Sequence, residues 1–370
     1  MLKEKQRISD DKNYFTGIND WLINRQRISI SEKIFFVQHL AVMAKAGISL
    51  AKALEMLAKQ TTNKRFAAII SNLHGKVNKG CSLADALKPY QGVFDELFIN
   101  MIAAGEASGT LEQVLKSLHL QLKRSHQLAG KIRGALAYPA IILLAMGGIG
   151  AGVMIFVVPK FISIFAEAKI ELPLMTKILI AVSAAITNHG LSVAIGALIT
   201  LIVVIKFFSV DLGKKWLHFI FLKSPIIGPI AKKINLARFA RTMSALLKTD
   251  IKIVESFKIT ATTVNNVYYR QSLLEAAEKI KKGVLINKVL ADYPLLYNHV
   301  ILQMITVGEE TGELDAILEE IAGFYEEEVE EIMNTLPTII EPIIILLLAA
   351  VIGSMAVAII MPMYSLTSAI

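Results

Sequence analysis

The chain has 370 residues, 54% of them hydrophobic, and a formal net charge of +8. Soluble domains hold about 45–50% apolar residues, so the excess requires surface that faces lipid and excludes an ordinary soluble protein. The basic charge comes without a nucleic-acid-binding module, and the single cysteine, Cys81, excludes an internal disulfide. No apolar core follows the charged first residues, so a cleavable signal peptide is not expected.

A short N-terminal arm, residues 1–31, is predicted to lead into a cytoplasmic helical domain at 32–134. Apolar residues in that domain recur at intervals of three and four, as on one face of a helix. Gly75–Ser82 has the glycine spacing of a phosphate-binding loop, but Cys81 replaces the lysine, so we predict a helix end there instead. Helix starts are marked by three capping pairs, namely Ser29 with Glu32, Ser82 with Asp85, and Thr110 with Gln113.

Three uncharged runs, each long enough to cross a bilayer of about 20 helical residues, predict three transmembrane helices. The middle run is interrupted at Asn188, His189 and Gly190, which separates an amphipathic outside segment from the crossing itself. The predicted order is transmembrane helix 1 at 135–159, an outside loop at 160–187, transmembrane helix 2 at 188–210, a second cytoplasmic domain at 211–338, transmembrane helix 3 at 339–362, and an outside tail at 363–370. Lysine and arginine are concentrated in 1–134 and 206–340, so these parts and the N-terminus are expected in the cytoplasm and the C-terminus outside.

The chain repeats itself at an offset of 203 positions, which places Phe36 on Phe239 and Gly80 on Gly283. Pro139 falls on Pro342 in the same register. Two domains in the same sense need an extra crossing between them, which is the role predicted for the middle run. The expected fold is therefore an all-α integral membrane protein with two repeated cytoplasmic helical bundles, of about six helices each, and three transmembrane helices.

A motif of the form Gly-Glu-x-x-Gly-x-Leu occurs once in each repeat. Its glycines allow a tight turn between two helices, and its glutamate can accept hydrogen bonds from free backbone N–H groups at the start of the next helix. A structural corner explains the motif without any catalytic activity. The residues are Gly105, Glu106, Gly109 and Leu111 in the first repeat, and Gly308, Glu309, Gly312 and Leu314 in the second.

No catalytic, cofactor-binding or metal-binding residues are predicted, because the seven histidines are scattered and no nucleophile–base set is found. Glu341 stands at the cytoplasmic mouth of the third crossing, as an interfacial residue or as a buried one with a partner. A small transporter or channel subunit is an alternative function, but its polar path would have only Asn188, His189 and Glu341. A membrane-bound enzyme or signalling subunit would lack any site.

Taken together, these marks resemble the inner-membrane platform proteins of type IV pili and type II secretion systems, the PilC/GspF family. The resemblance covers about residues 32–366 and departs from the family in the short arm. It is carried by the doubled domain, the motif in each copy, and the residues Tyr138, Pro139, Glu341, Pro342 and Pro362 at the crossings.

The resemblance implies a non-enzymatic platform in the bacterial inner membrane that needs no cofactor. Its implied partners are a hexameric cytoplasmic assembly ATPase, pilin or pseudopilin subunits, and other inner-membrane assembly proteins. It also implies self-association as a dimer or a larger oligomer.

Equivalent positions on the last helix of each domain carry opposite charges. One hypothesis is that these two helices pair across the pseudo-two-fold axis, within one chain or between two, with each exposed pair contributing less than ~1 kcal/mol. The alternative is two independent solvated faces, the basic one facing lipid headgroups. The positions are Lys116 with Glu319, Lys123 with Glu326, and Arg124 with Glu327.

Overall fold

The computed structural model describes residues 26–162, 174–225 and 227–367. Every regular element in these ranges is a helix. The chain forms two compact units: unit 1 combines residues up to 128 with 228–327, and unit 2 combines 129–227 with the residues from 328 onward. Most of the predicted arm, part of the predicted outside loop and the last three residues lie outside the described ranges.

The first repeat contains six α-helices and one short 3₁₀ turn. The α-helices are α1 (Ile30–Lys45), α2 (Leu50–Gln60), α3 (Lys64–Val77), α4 (Leu83–Leu87), α5 (Glu96–Ser108) and α6 (Leu111–Gly152), with the turn at Lys88–Tyr90. Ser29 and Glu32 form the predicted capping box, and the Ser82 hydroxyl accepts from the Asp85 N–H, as predicted. Gly80, with φ of 86°, ends the preceding turn, so Gly75–Ser82 is a helix end and not a phosphate-binding loop.

Among the described residues, the chain continues with three linking helices and then the second repeat. The helices are α7 (Leu174–Asn188), α8 (Gly190–Ser209), α9 (Asp211–Lys223), α10 (Ile227–Leu247), α11 (Ile253–Thr263), α12 (Val267–Ile280), α13 (Ile286–Ala291), α14 (His299–Thr311) and α15 (Leu314–Thr367). Helices α2, α3 and α5 reappear as α11, α12 and α14 with both ends displaced by the same 203 positions. The repeat therefore holds in the backbone as well as in the sequence.

The aromatic core differs chemically between the repeats while keeping its positions. Phe36, Phe66 and Phe94 pack together in repeat 1, with ring centroids 5.6–6.2 Å apart. Tyr269 and Tyr297 stand where repeat 2 repeats Phe66 and Phe94, and both are fully buried. Their hydroxyls are satisfied, because Tyr269 donates to the Leu296 carbonyl at 2.6 Å and Tyr297 meets the Ser272 hydroxyl at 2.9 Å. Burial raises the pKa of both tyrosines, so they stay neutral.

Within the described ranges, two helical stretches are long and apolar enough to cross a membrane. They are Leu111–Ile162, in which α6 continues through a π-helical turn at Val153–Val157, and Leu314–Ala358 within α15. Their most apolar windows are only 6% buried within the protein. The middle run forms α7 and α8, which are separated at His189, where the sequence predicts an interruption. In unit 2, two buried hydroxyls on α7 bond to backbone carbonyls of other helices, Thr176 to Ala358 at 2.7 Å and Ser183 to Met154 at 2.6 Å.

The turn after the first helix of each repeat uses a left-handed residue, which is Gly47 in repeat 1 and Asp250 in repeat 2. Their φ angles are 73° and 58°. Asp250 is the one non-glycine residue with positive φ in the described ranges. A side chain with a Cβ is disfavoured in this conformation, although aspartate tolerates it better than most.

We therefore predict that Asp250→Gly leaves stability equal or higher, whereas Asp250→Ala lowers it. The difference between the two variants should be about 1–2 kcal/mol, since alanine carries a Cβ that is disfavoured in the left-handed conformation and glycine does not. Thermal unfolding of the full chain in detergent, followed by circular dichroism, measures it. Equal stability of the glycine and alanine variants would contradict the left-handed conformation at this position.

Candidate functional site: the helix corners and the junction of the repeats

The glutamate of each corner motif accepts hydrogen bonds from backbone N–H groups at the N-terminus of a short helix. The two carboxylate oxygens of Glu106 accept from the N–H groups of Leu83 and Ala84 at 2.5 and 2.8 Å. Glu309 makes the equivalent bonds to Ile286 and Asn287 at 2.6 and 3.0 Å. The predicted acceptor role is therefore observed, but at a different helix. The bonded N–H groups belong to the preceding short helices α4 and α13, and not to the helix that follows the motif.

The glycines of the motif allow the two helices of the corner to approach closely. A Cβ on Gly105 would lie 2.8 Å from Val114 Cγ2, and one on Gly308 would lie 3.1 Å from Leu314 Cα. Gly109 and Gly312 end their helices with φ of 72° and 78°. The following leucines begin α6 and α15 and pack inward, with Leu314 buried and Leu111 against the core of repeat 1. The motif therefore fixes the angle at which each long helix leaves its domain.

The remaining predicted marks lie along the long helices. Pro139 lies inside α6, and Pro342 and Pro362 lie inside α15. Tyr138 is 45% exposed, and Glu341 is exposed on the protein surface. The roles of these five residues stay predictions.

The two repeats pack against each other within unit 1, and each contributes a different part of its surface. Helix α5 of repeat 1 packs against α11 of repeat 2. Ala245, Leu246 and Ile259 of repeat 2 belong to the same buried apolar cluster as the core of repeat 1. Beside this cluster the buried Gln121 amide donates to the Thr242 hydroxyl at 3.2 Å. The junction is thus a continuous apolar core with a polar contact at its side.

Repeat 2 contains an ion network that uses two of the acids singled out in the sequence. Arg241 binds Glu326 with two hydrogen bonds of 2.8 and 2.7 Å, and both side chains are largely buried, at 17% and 16% exposure. Glu319 lies 3.7 Å from Arg241 and also pairs with Lys248. The negative charges of Glu319 and Glu326 are therefore paired with basic residues of the same repeat. The bidentate geometry and burial make the Arg241–Glu326 pair stronger than an exposed salt bridge.

The equivalent positions in repeat 1 are uniformly basic or neutral. Gln38 replaces Arg241, and Lys45, Lys116 and Lys123 replace Lys248, Glu319 and Glu326. All three lysines are exposed, and no acidic partner lies within salt-bridge distance of them among the described residues. The charge reversal between the repeats thus coincides with an ion network in repeat 2 and a bare basic surface in repeat 1.

Arg124 and Glu327 line one open cavity of about 500 Å³ at the junction. Its other polar walls are Arg241, Glu319 and Glu320, and its apolar walls include Leu120 and Phe324. A basic residue of repeat 1 therefore lies beside an acidic wall of repeat 2. In unit 2, α6 and α15 are also joined by an ion pair between Lys131 and Glu330. Glu326 is paired with Arg241 in this structure, so its direct pairing with Lys123 is not observed within the chain. That pairing stays a prediction.

Sequence reasoning did not predict Arg241, Lys248, Gln121 or Thr242. A signal for the first two was present, because Arg241 on α10 and Lys248, just after its end, are seven positions apart, and Glu319 and Glu326 on α15 are also seven apart. Seven residues are about two helical turns, so the spacing of the basic residues matches that of the acids. The contact of Gln121 with Thr242 has no sequence signal, since it depends on how the repeats join.

We predict that Glu309→Gln destabilises the chain by about 1–3 kcal/mol, because one of two charge-assisted bonds to the α13 N-terminus is lost. Glu310→Gln is the matched control, since Glu310 is the next residue and is exposed. Hydrogen exchange of the Ile286 and Asn287 amides reports the loss locally. Equal protection of these two amides in both variants would contradict the role given to Glu309.

Both repeats match one family model, described as "Type II secretion system (T2SS), protein F", over residues 36–159 and 239–362. The two matches lie at the offset found in the sequence. Similar proteins include a type IV pilus assembly protein PilC of Thermus thermophilus, 32% identical over 91% of this chain and 83% of that protein. The PilC of Myxococcus xanthus is also 32% identical, over 91% of this chain and 81% of its own length.

A type II secretion system protein F of Aeromonas hydrophila is 31% identical over 95% of this chain and 90% of that protein. The matches extend over the corners, the junction and the long helices alike. The chain belongs to the type II secretion system protein F family, which includes the PilC proteins of type IV pilus assembly.

Proposed function

We propose that the chain is a non-enzymatic inner-membrane platform for assembly of a type IV pilus-like filament or a secretion pseudopilus. The observation that carries this proposal is the match of both repeats to one family whose named relatives are pilus assembly and secretion proteins. In this role the chain would meet a cytoplasmic hexameric ATPase on one side and pilin or pseudopilin subunits in the membrane. Other inner-membrane assembly proteins would surround it.

The proposal includes three membrane crossings. Three buried residues of repeat 2, Ala245, Leu246 and Ile259, belong to the apolar cluster of repeat 1, which supports placing both repeats on the same side of the membrane. The residues between them would then cross an even number of times. One crossing is offered by the apolar part of α6, and the return by α8, whose 20 residues span about 30 Å. The apolar part of α15 supplies the third crossing and leaves the C-terminus outside.

Unit 1 has features that would let it transmit a mechanical force to the membrane. Its two repeats are joined by an apolar core and by the buried Gln121–Thr242 contact, so they would move as one body. The corner motifs set the start of α6 and α15, and each of these helices continues without a break into its apolar run. Force applied by an ATPase to unit 1 would thus reach the membrane through these two helices.

Co-purification with the assembly ATPase of the same machine tests this function. The full chain is the appropriate bait, because removal of repeat 1 would expose the apolar cluster that repeat 2 shares with it. We expect the ATPase to be retained in detergent and cells without the chain to lack the filament or the secreted product. An unrelated inner-membrane protein with the same tag is the control. Filament assembly or secretion that continues without the chain would overturn the proposal.

A further inference from the structure

The short helix α9 presents a row of apolar side chains on the outside of the protein. Trp216, Phe219 and Ile220 are 72%, 42% and 46% exposed. Lys223 completes the row, and its Nζ lies 4.7 Å from the centroid of the Phe219 ring. Because these four residues are spaced by three, four and seven positions, they lie on one side of the helix, which we call the α9 face. Leu222, which lies off this face, is buried.

The start of α9 is packed against the end of α8. The two helices are separated only by Val210, whose backbone is extended, with φ of −78° and ψ of 149°. A Cβ on Gly213 would collide with the Phe207 carbonyl oxygen, so the close contact between the two helices requires glycine there. In the proposed topology α8 is the return crossing, so its C-terminal end would lie at the cytoplasmic membrane surface. The α9 face would then begin at that surface.

The charge around α9 fits an anionic surface. Lys214, Lys215 and Lys223 are all exposed, and the sequence contains no acidic residue between Asp211 and Asp250. Lys215 borders the α9 face and Lys223 is part of it, whereas Lys214 lies on the opposite side of the helix. An acidic protein surface would also attract lysine. Tryptophan and lysine on one apolar face directly after a crossing, however, are typical of the boundary between lipid headgroups and acyl chains.

We propose that α9 lies in the headgroup region of the cytoplasmic leaflet and binds anionic phospholipids. The aromatic and aliphatic side chains of the α9 face contact acyl chains, which removes their apolar surface from water. Lys223 extends its ammonium group to the lipid phosphates while its methylene groups stay beside the Phe219 ring. Because only residues 224–226 separate α9 from α10, the contact would anchor the start of repeat 2 at the membrane. This inference rests on the crossing proposed for α8 and not on an ATPase or pilin partner.

Quenching of tryptophan fluorescence by brominated lipids tests the proposed contact. The chain has two tryptophans, so Trp21→Phe leaves Trp216 as the single reporter. The full-length variant is reconstituted in vesicles of phosphatidylcholine and phosphatidylglycerol, whose acyl chains carry bromine either near the headgroup or near the chain end. We expect strong quenching by bromine near the headgroup and weak quenching by bromine near the chain end.

Two controls move the reporter in a background of Trp21→Phe and Trp216→Phe. Phe221→Trp places it on a different side of α9, where we expect little quenching from either lipid. Ile199→Trp places it at the middle of α8, at a position that is 55% exposed. In the proposed crossing, that reporter is quenched most by bromine near the chain end.

Replacement of the lysines separates a contact with anionic headgroups from apolar contact alone. With Trp216 as the reporter, the pair Lys215→Gln and Lys223→Gln should lose most of the additional quenching that phosphatidylglycerol gives over pure phosphatidylcholine. Lys214→Gln is the matched control, since this lysine is equally exposed but lies away from the α9 face, and it should keep that quenching. An equal loss in both variants would contradict the headgroup contact.

Three further results would overturn the inference. The first is absence of quenching at Trp216 while Ile199→Trp is quenched, which would show that α8 crosses but that water or a protein covers the α9 face. The second is equal quenching at Trp216 and at Phe221→Trp, which would show that lipid surrounds α9 on all sides. The third is absence of quenching at both Trp216 and Ile199→Trp, which would overturn the crossing of α8 as well.

Discussion

The apolar junction between the two repeats is the constraint on which the rest of the molecule depends. Ala245, Leu246 and Ile259 are buried in the same cluster as the core of repeat 1. Since burial of apolar surface contributes about 25 cal/mol per Å², separating the repeats would expose these side chains at a substantial cost in free energy. The packing of the repeats against each other therefore supports the proposal that both lie on the same side of the membrane.

Within that body, the corner motif decides where each long helix begins. The Glu106 carboxylate accepts hydrogen bonds from two backbone N–H groups of the short helix α4 and so links α4 to α5. Glu309 links α13 to α14 in the same way. Gly105 and Gly308 let the next helix lie against the corner without a Cβ in between. The motif occurs in both repeats because in each one a long helix must begin close against the helix that precedes it. Its chemistry is that of a structural tie, which agrees with a platform and not with an active site.

The two repeats share a fold but differ in surface charge. Arg241 and Lys248 neutralise Glu319 and Glu326 in repeat 2. Repeat 1 has lysines at Lys45, Lys116 and Lys123 and presents them to solvent. The two copies of the domain therefore differ in the surfaces that they present.

Local features of the fold could be predicted from the sequence, whereas the joining of distant segments could not. The cap at Ser29, the helix end at Gly80 and the interruption at His189 depend on neighbouring residues, and each is found. The repeat offset also appears in both the sequence and the helix bounds. The target of Glu106 was assigned to the wrong helix, because α4 lies 22 and 23 residues away in sequence and is brought back only by the tertiary fold. The junction was missed for the same reason.

Thiol labelling tests most directly whether both repeats lie on the same side of the membrane. Cys81 is a free, exposed cysteine in repeat 1, and Val284 is its equivalent in repeat 2. A membrane-impermeant maleimide is added to intact cells carrying either the natural chain or a chain with Cys81→Ser and Val284→Cys. We predict that neither thiol reacts until the inner membrane is opened, and that both then react. Labelling of one thiol but not the other in intact cells would contradict the shared core and the three crossings built on it.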